Sequence, residues 1–404
     1  MNILVLNCGS SSIKYQVLDM TSETEYTLLA EGLVERVGSE NASITHKVPQ
    51  RPKVQQTLPI PDHSKGISVV LDMLLDKEKG VISSLSDIQA VGHRVAHGGE
   101  YFSGAALVNE DTLSKIEKCC AIAPLHNPAS LLGIKVATEL MPDIPQVTVF
   151  DTSYHQTIPD YAYMYAIPYE YYEKYRIRRY GFHGTSHNYV AHKACRALGW
   201  NIEDKKIITC HLGNGSSITA IRGGKSVDTS MGFTPLEGVT MGTRCGLMDP
   251  SVVTFLMEKE GFSPKDMDNL MNKKSGLLGL SGVSSDNRDV EAAANAGNSR
   301  AKLTHEKRCY DIKKFIGAFA ATLNGVDLIV MTGGIGENAR SVRRDVLSGL
   351  EYLGLKIDLD RNENVGGDNW IISTDDSKVK AMIVCTNEEL VIARDTMEIV
   401  KNLK

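Results

Sequence analysis

Apolar runs that break off at glycine-rich turns set the rhythm of this chain. One run at 3–6 leads into Asn7-Cys8-Gly9-Ser10-Ser11-Ser12, a second at 207–212 leads into Gly213-Asn214-Gly215-Ser216-Ser217, and a third at 326–331 ends in Thr332-Gly333-Gly334-Ile335-Gly336-Glu337-Asn338. Short apolar runs bounded by turn signals predict buried strands. Adjacent glycines at a strand end let backbone approach a flat or charged ligand where a Cβ would intrude. Behind the first two turns, residues 15–18 and 218–221 again have strand character, so each pair is read as a β-hairpin with a Gly/Ser tip. Ser11-Ser12-Ile13 and Ser216-Ser217-Ile218 stand about half a chain apart, which predicts a duplicated molecule.

Helical periodicity fills the spaces between these strands. Asn127-Pro128 offers an N-cap and a proline at the first helical position for a helix over 129–140, and Asp249-Pro250 repeats the device before Val252, Val253 and Leu256, with Gly261 able to close the helix. Ile312, Phe315, Ile316, Phe319 and Leu323 fall on one face of a long helix. Thr386-Asn387-Glu388-Glu389 has the capping-box pattern for a C-terminal helix. Residues 275–287, rich in Gly and Ser and without periodicity, are expected to form a long functional loop. Strands alternating with helices give an α/β class. A boundary is expected near Phe150-Asp151, with residues 1–151 and 389–404 in one domain and 152–388 in the other.

Composition narrows the function classes. Within 404 residues, 42% are hydrophobic and 23% charged, ordinary values for a globular protein of two domains. A net charge of −5 gives no electrostatic reason to expect nucleic acid or an anionic membrane as partner. No apolar run approaches the ~18 residues that span a bilayer, and the first residues enter a strand with no secretory leader pattern. The eight cysteines lack C-x-x-C spacing, which predicts reduced thiols in the cytoplasm.

Turns rich in Gly, Ser and Asn suggest phosphate cradling by backbone N–H groups and hydroxyls. Gly224-Lys225-Ser226 is read as a hairpin turn and not a P-loop, because Thr219 stands where the first glycine belongs. The spacings His93/His97 and His183/His187 could put two imidazoles on one helical face, but the glycines around them disfavour helix and zinc. Cations beside glycines in 93–99, 178–185 and 241–246 are candidate anion contacts, and residues 147–151 form an apolar strand ending in a carboxylate, where open α/β sheets place ligands.

In order along the chain, NCGSSSIKY from Asn7, GHRVAHGGE from Gly92, APLHNP from Ala123, VFDTSYHQT from Val149, RRYGFHGTSH from Arg178, HLGNGSS from His211, DTSMGFTPLEG from Asp228, MGTRCG from Met241, TGGIGEN from Thr332 and TNEEL from Thr386 resemble the acetate kinases. The resemblance implies the duplicated actin-like (ribonuclease H-like) ATPase fold, two domains flanking an active-site cleft. It implies ATP + acetate ⇌ ADP + acetyl phosphate with Mg²⁺, Mn²⁺ being an alternative, in a cytoplasmic homodimer. Carried over residue by residue, it implies Asn7 and Glu388 at the metal and Arg94, His126 and Ala96 at the acyl substrate. Asp151, His183 and Arg244 are the implied catalytic residues. Nucleotide contacts are implied for Ser10, Ser12, Lys14, His211, Leu212, Gly213, Asn214, Gly215, Asp286, Asn287, Arg288, Gly334, Ile335, Gly336, Glu337 and Asn338.

Elementary chemistry adds to that reading. Two anions meet in such a reaction, so Arg94 and Arg244 are expected to neutralise reacting oxygens. A carboxylic acid of pKa about 4–5 is already ionised at pH 7, so Asp151 is expected to act by position and not as a base. The chain departs from the family pattern at Cys245 for serine, Leu247 for aspartate, Asn287 for an aromatic residue near adenine, and Ala96 for valine. These imply a differently packed loop more open to thiol reagents, relaxed adenine preference and a roomier acyl pocket. Competing readings are a propionate or other short-chain acyl kinase, a sugar kinase, and a non-enzymatic actin-like ATPase.

Overall fold

The computed structural model describes residues 1–23, 25–367 and 369–403. The chain divides into two compact units, Met1–Tyr154 with Asn387–Lys404, and His155–Thr386. The first unit takes in Asn387 and Glu388, just ahead of the expected 388/389 boundary, because Asn387 caps the helix that follows.

Among the described residues, the first unit holds strands β1 (Asn2–Cys8), β2 (Ser12–Met20), β3 (Tyr26–Glu35), β4 (Ser39–Lys47), β5 (Val54–Ile60), β6 (Ala90–Val95), β7 (Ala106–Leu107) and β8 (Gln146–Phe150), in the sheet order β5-β4-β3-β2-β1-β6-β8-β7. β1 to β3 run antiparallel in succession, whereas β1, β6 and β8 are parallel. Ile3, Leu4, Val5 and Leu6 are all buried, as a strand covered on both faces requires. The helix Glu388–Lys401 packs on this sheet through Leu390, Val391, Ile392, Ala393 and Met397. It lies so close to β6 that a Cβ at Gly92 would come within 2.5 Å of Thr396 Oγ1 and 2.7 Å of Ile392 Cγ2.

The second unit repeats the plan. β9 (Lys206–Leu212), β10 (Ser216–Arg222), β11 (Lys225–Thr229), β12 (Leu328–Thr332), β13 (Asn369–Ile371) and β14 (Lys380–Val384) lie in the order β11-β10-β9-β12-β14-β13. β9–β11 are antiparallel, while β9, β12 and β14 are parallel. The series β3-β2-β1-β6-β8 and β11-β10-β9-β12-β14 are thus the same motif twice, and the fold is the duplicated actin-like one. The long helix Ser299–Leu323 buries Ile312, Ile316, Phe319 and Leu323, the face its periodicity predicts.

Several local expectations are corrected. Asn127 does not cap its helix: it is the first residue of Asn127–Leu140, and its side chain accepts from His97 N at 3.1 Å and donates to His97 O at 2.8 Å. The capping box at 386–389 gives way to a single cap, Asn387 Oδ1 accepting from Leu390 N at 3.0 Å. Within 275–287 the chain forms the helix Gly276–Ser281. Despite its apolar positions, Ser251–Glu260 buries none of its residues. The glycines around His183 do not prevent a helix, since Gly184–Leu198 begins directly after it.

Candidate active site

In the first unit the parallel strand ends gather ionic groups. Arg94, near the end of β6, donates from Nε to Asp151 Oδ1 at 3.1 Å and from Nη2 to Oδ2 at 2.6 Å, a bidentate pair just past the end of β8. Its Nη1 lies 3.4 Å from Asn7 Oδ1. Asp151 is 3% exposed, so its charge is compensated almost wholly by that guanidinium. Asn7 stands opposite Lys14 across the β1/β2 hairpin, and Lys14 Nζ pairs with Glu389 Oε1. The attraction of Asp151, before any other influence, holds the Arg94 guanidinium above its ordinary range. Burial, with Asp151 and Glu389 adding repulsion, pushes the Glu388 carboxyl up to about 7 against the opposing pull of Arg94 and Lys14.

An amide oxygen and carboxylates are hard donors of the kind Mg²⁺ takes. A carboxyl held this high marks a place where a further positive charge would be accommodated, so Asn7 and Glu388 fit a divalent cation. The sign of the pH effect follows. A cation held there would need ionised Glu388, so the apparent affinity for Mg²⁺ is then expected to fall about tenfold per unit as pH drops below about 7. Glu388→Gln should flatten that slope. A slope unchanged in the variant, measured as KM for Mg²⁺ at saturating nucleotide, would remove Glu388 from the metal site.

Ala96 is buried and follows β6, and His126 immediately precedes the helix Asn127–Leu140. The Asn127–His97 bonds tie the start of that helix to the segment that holds Ala96. Ser10 is exposed at the β1/β2 tip and Ser12 half-buried at the start of β2.

In the second unit, His183 carries a left-handed backbone (φ 56°) directly before the helix Gly184–Leu198, a costly geometry for a non-glycine residue that aims its ring at the β9/β10 tip. The ring stacks on His211 at 4.3 Å, and its Nδ1 lies 2.8 Å from Ser217 Oγ. A Cβ built on Gly215 would lie 3.2 Å from Arg244 Nη1 and 3.6 Å from His183 Nε2. The guanidinium, the imidazole and the glycine turn therefore converge. Among the described residues Arg244 has no carboxylate partner; its Nη1 reaches only Pro235 O at 3.5 Å and Met241 Sδ at 3.8 Å. Burial lowers its pKa, as expected of a cation awaiting an anion.

The loop bearing Arg244 is clamped from outside. Leu277 N and Leu278 N donate to Met241 O at 2.8 Å and Gly242 O at 3.0 Å, and Cys245 N donates to Met271 O at 3.0 Å. The helix found at Gly276–Ser281 thus serves as a brace for the arginine loop. Burial raises the Cys245 thiol pKa, which lowers its thiolate fraction. Leu247 is exposed.

A cavity of about 580 Å³ opens beside the same tip, lined by Gly213, Asn214, Asp286, Asn287, Arg288, Gly334, Ile335 and Asn338 among others. Its two glycine turns and mixed walls suit a nucleotide. Arg288 and Asp286 form a bidentate pair, which holds the Asp286 carboxyl down at about 2. Asn287 cannot act as a stacking plate: it is buried, and its Oδ1 accepts from Arg308 Nη1 at 3.0 Å. Other members of the motifs serve the scaffold. The Leu212 side chain lies in the core, Gly336 is buried against β12, and Glu337 Oε1 accepts from Gly333 N at 3.1 Å and Thr386 N at 3.2 Å. Ser10, Ser12 and Lys14 belong to the first unit.

Sequence reasoning missed the polar chain behind His183. Ser217 Oγ also lies 2.7 Å from His187 Nε2, and His187 Nδ1 lies 2.7 Å from Thr209 Oγ1. Burial lowers the His187 pKa well below its ordinary value, so this ring stays neutral and fixes the Ser217 hydroxyl that positions His183. On the other side Ser186 Oγ bridges His211 Nδ1 and Thr386 Oγ1 at 2.8 Å each. The available signal was Ser, Thr and His at inward positions of β9 and β10.

Comparison with known proteins identifies the family. The profile of the acetokinase family matches residues 2–394. Over 405 residues the chain is 55% identical to the acetate kinase of Caldanaerobacter subterraneus subsp. tengcongensis, covering 100% of both. The crystal structure of Porphyromonas gingivalis acetate kinase superposes with a TM-score of 0.95 at 47% identity over 99% of each chain. A propionate kinase from Francisella tularensis subsp. tularensis SCHU S4 gives 0.91 at 42% identity, over 98% of this chain and 99% of that one. The chain belongs to the acetokinase family.

Proposed function

We propose that the protein transfers a phosphoryl group reversibly between ATP and acetate, giving ADP and acetyl phosphate by direct in-line attack. The observation that carries this reading is the convergence of Arg244 and His183 on Gly215, at a turn that continues into the nucleotide-sized cavity. A loose phosphoryl-transfer transition state spreads charge over equatorial oxygens, where a guanidinium and an imidazole N–H can both donate. Arg94 supplies the cation for the acetate carboxylate, and Asp151 holds its fork in plane. No proton leaves the nucleophile, so the site needs alignment and charge more than a base. When bound, a divalent cation at Asn7 and Glu388 supplies charge that neutralises the phosphates.

A cytoplasmic homodimer is the setting assigned to this activity. Tyr161, Ile167, Tyr169, Tyr171 and Tyr175 form an exposed, strongly aromatic run of the kind a second copy covers. No described helix is long and apolar enough to cross a membrane.

Trapping the acyl phosphate with hydroxylamine, in the presence of ATP, Mg²⁺ and a panel of acids and sugars, tests the assignment. Product from sugars but not acids would overturn it. Ala96 favours a short-chain acyl range. Valine to alanine removes two methyl groups, room for one methylene, which contributes about 0.8 kcal/mol. Propionate is therefore expected to show a kcat/KM within about tenfold of that for acetate. Ala96→Val should shift preference back through a higher KM for propionate; an unchanged ratio would mean that Ala96 does not shape the pocket.

A further inference from the structure

Away from the catalytic groups, the second unit brings together three side chains of mixed hardness. His305 and Cys309 lie one turn apart on the helix Ser299–Leu323, and Asp345 faces them from the helix Arg340–Leu347. His305 Nε2 is 2.8 Å from Asp345 Oδ2 and 3.6 Å from Cys309 Sγ, and the three ligand atoms lie within 4.8 Å of one another. We propose that His305 Nε2, Cys309 Sγ and Asp345 Oδ2 form a site for a thiophilic divalent cation, Zn²⁺ first, that fastens these two helices together.

The geometry fits that ion. Around tetrahedral Zn²⁺, with bonds of about 2.0–2.1 Å to N, 2.0–2.2 Å to O and 2.3 Å to S, neighbouring N and S atoms stand about 3.6 Å apart and N and O about 3.4 Å apart. The nitrogen–sulfur separation is already right. The nitrogen–oxygen pair is closer because it shares a hydrogen bond, and Asp345, 34% exposed, has room to withdraw. Arg344 Nε donates to Oδ1 at 2.7 Å and its Nη2 reaches Oδ2 at the longer distance of 3.3 Å, so the guanidinium orients the carboxylate, as outer partners of metal-bound carboxylates do, and an oxygen lone pair remains for the metal. One imidazole, one thiolate and one carboxylate would balance a +2 charge. The sulfur selects against Mg²⁺ and Ca²⁺.

A second observation lies beside the three groups. His305 and Asp345 open onto a cavity of about 430 Å³ that Ser341 also lines, and Ser341 Oγ is buried without a hydrogen-bond partner among the described residues. A metal-bound water in that cavity would give the hydroxyl its partner. The clip would sit beside the nucleotide cavity. The Ser299–Leu323 helix carries Arg308, which holds Asn287, and the other helix starts right after Asn338 and Ala339.

The test strips the purified full-length protein with chelator and titrates it with Zn²⁺ or Co²⁺ in excess Mg²⁺, which keeps oxygen-only sites filled. The expected result is about one tight equivalent per chain, intense visible bands of tetrahedral Co²⁺ with a thiolate-to-cobalt charge-transfer band, and a Tm raised by roughly a few degrees by Zn²⁺. Cys309→Ser should abolish the charge-transfer band, and His305→Gln should weaken Zn²⁺ binding by about tenfold or more. Both variants should keep acetate-dependent phosphoryl transfer, because neither residue is in the catalytic set; that activity also reports that they fold. A wild-type protein without the charge-transfer band, or variants that bind Co²⁺ with an unchanged spectrum and stoichiometry, would overturn the proposal and leave an ordinary His305–Asp345 hydrogen bond.

Discussion

Replacing Arg244 with alanine is expected to lower kcat by about three orders of magnitude or more, with little change in nucleotide affinity. This guanidinium has no carboxylate partner among the described residues, and the acceptors it reaches are a carbonyl and a thioether at long range. Such a group stabilises the folded protein little, and burial even disfavours its charge. What it can favour is an anion above the Gly215 turn, and most strongly one whose charge is spreading as the phosphoryl group transfers. Its loop is held by backbone bonds from Leu277, Leu278 and Met271, none of which needs the arginine side chain, so the variant should fold normally. Steady-state kinetics with ATP and acetate decide the matter. A variant keeping more than a tenth of wild-type kcat would take Arg244 out of the mechanism.

For Asp151→Asn the expected loss is about a hundredfold in kcat, with the acidic limb of the pH profile intact. Both carboxylate oxygens accept from Arg94, so neither can take a proton without giving up a charge-assisted bond. An asparagine keeps one acceptor and presents a donor where the second acceptor stood, which turns the guanidinium fork out of plane and misplaces the acyl carboxylate it is assigned to bind. Positional catalysis predicts a lower plateau of the same shape. Loss of the acidic limb, with rate restored by small exogenous bases, would show that Asp151 transfers a proton after all.

Both predictions rest on residues whose neighbourhoods were unequally legible in the sequence. The hairpins, the end of β12 and the carboxylate after β8 were readable because their signals are local: an apolar run, then a residue that ends it; the glycines after β12, read as a turn, instead form the short helix Gly333–Asn338. The duplication was readable because two such signals repeat in order. Where side chains serve distant backbone, the local rule failed. Asn127 looks like a cap, but His97 claims both ends of its amide from 30 residues away. The helix Gly276–Ser281 is too short to show a period and owes its place to the carbonyls of Met241 and Gly242. Motif matching likewise points to a stretch without saying which members face a ligand. Leu212 and Glu337 sit inside motif strings, yet one fills the core and the other staples backbone. The His187–Ser217–His183 relay depends on how β9 pairs with β10 and how the following helix packs, which no single segment encodes.

The helix Glu388–Lys401 bears on the order in which the protein can be assembled during synthesis. It packs on β1, β2, β6 and β8, where Gly92 is bare enough to receive it, yet it is translated only after the whole of His155–Thr386 has been made. The second unit is continuous in sequence and can fold as it leaves the ribosome. The first unit, although its strands emerge earliest, must wait with an uncovered apolar sheet surface and without Glu388 until its closing helix arrives. Translation thus completes the carboxylate cluster last, and a nascent chain can acquire the cavity beside Gly213 and Gly334 well before Glu388 joins Arg94 and Asp151.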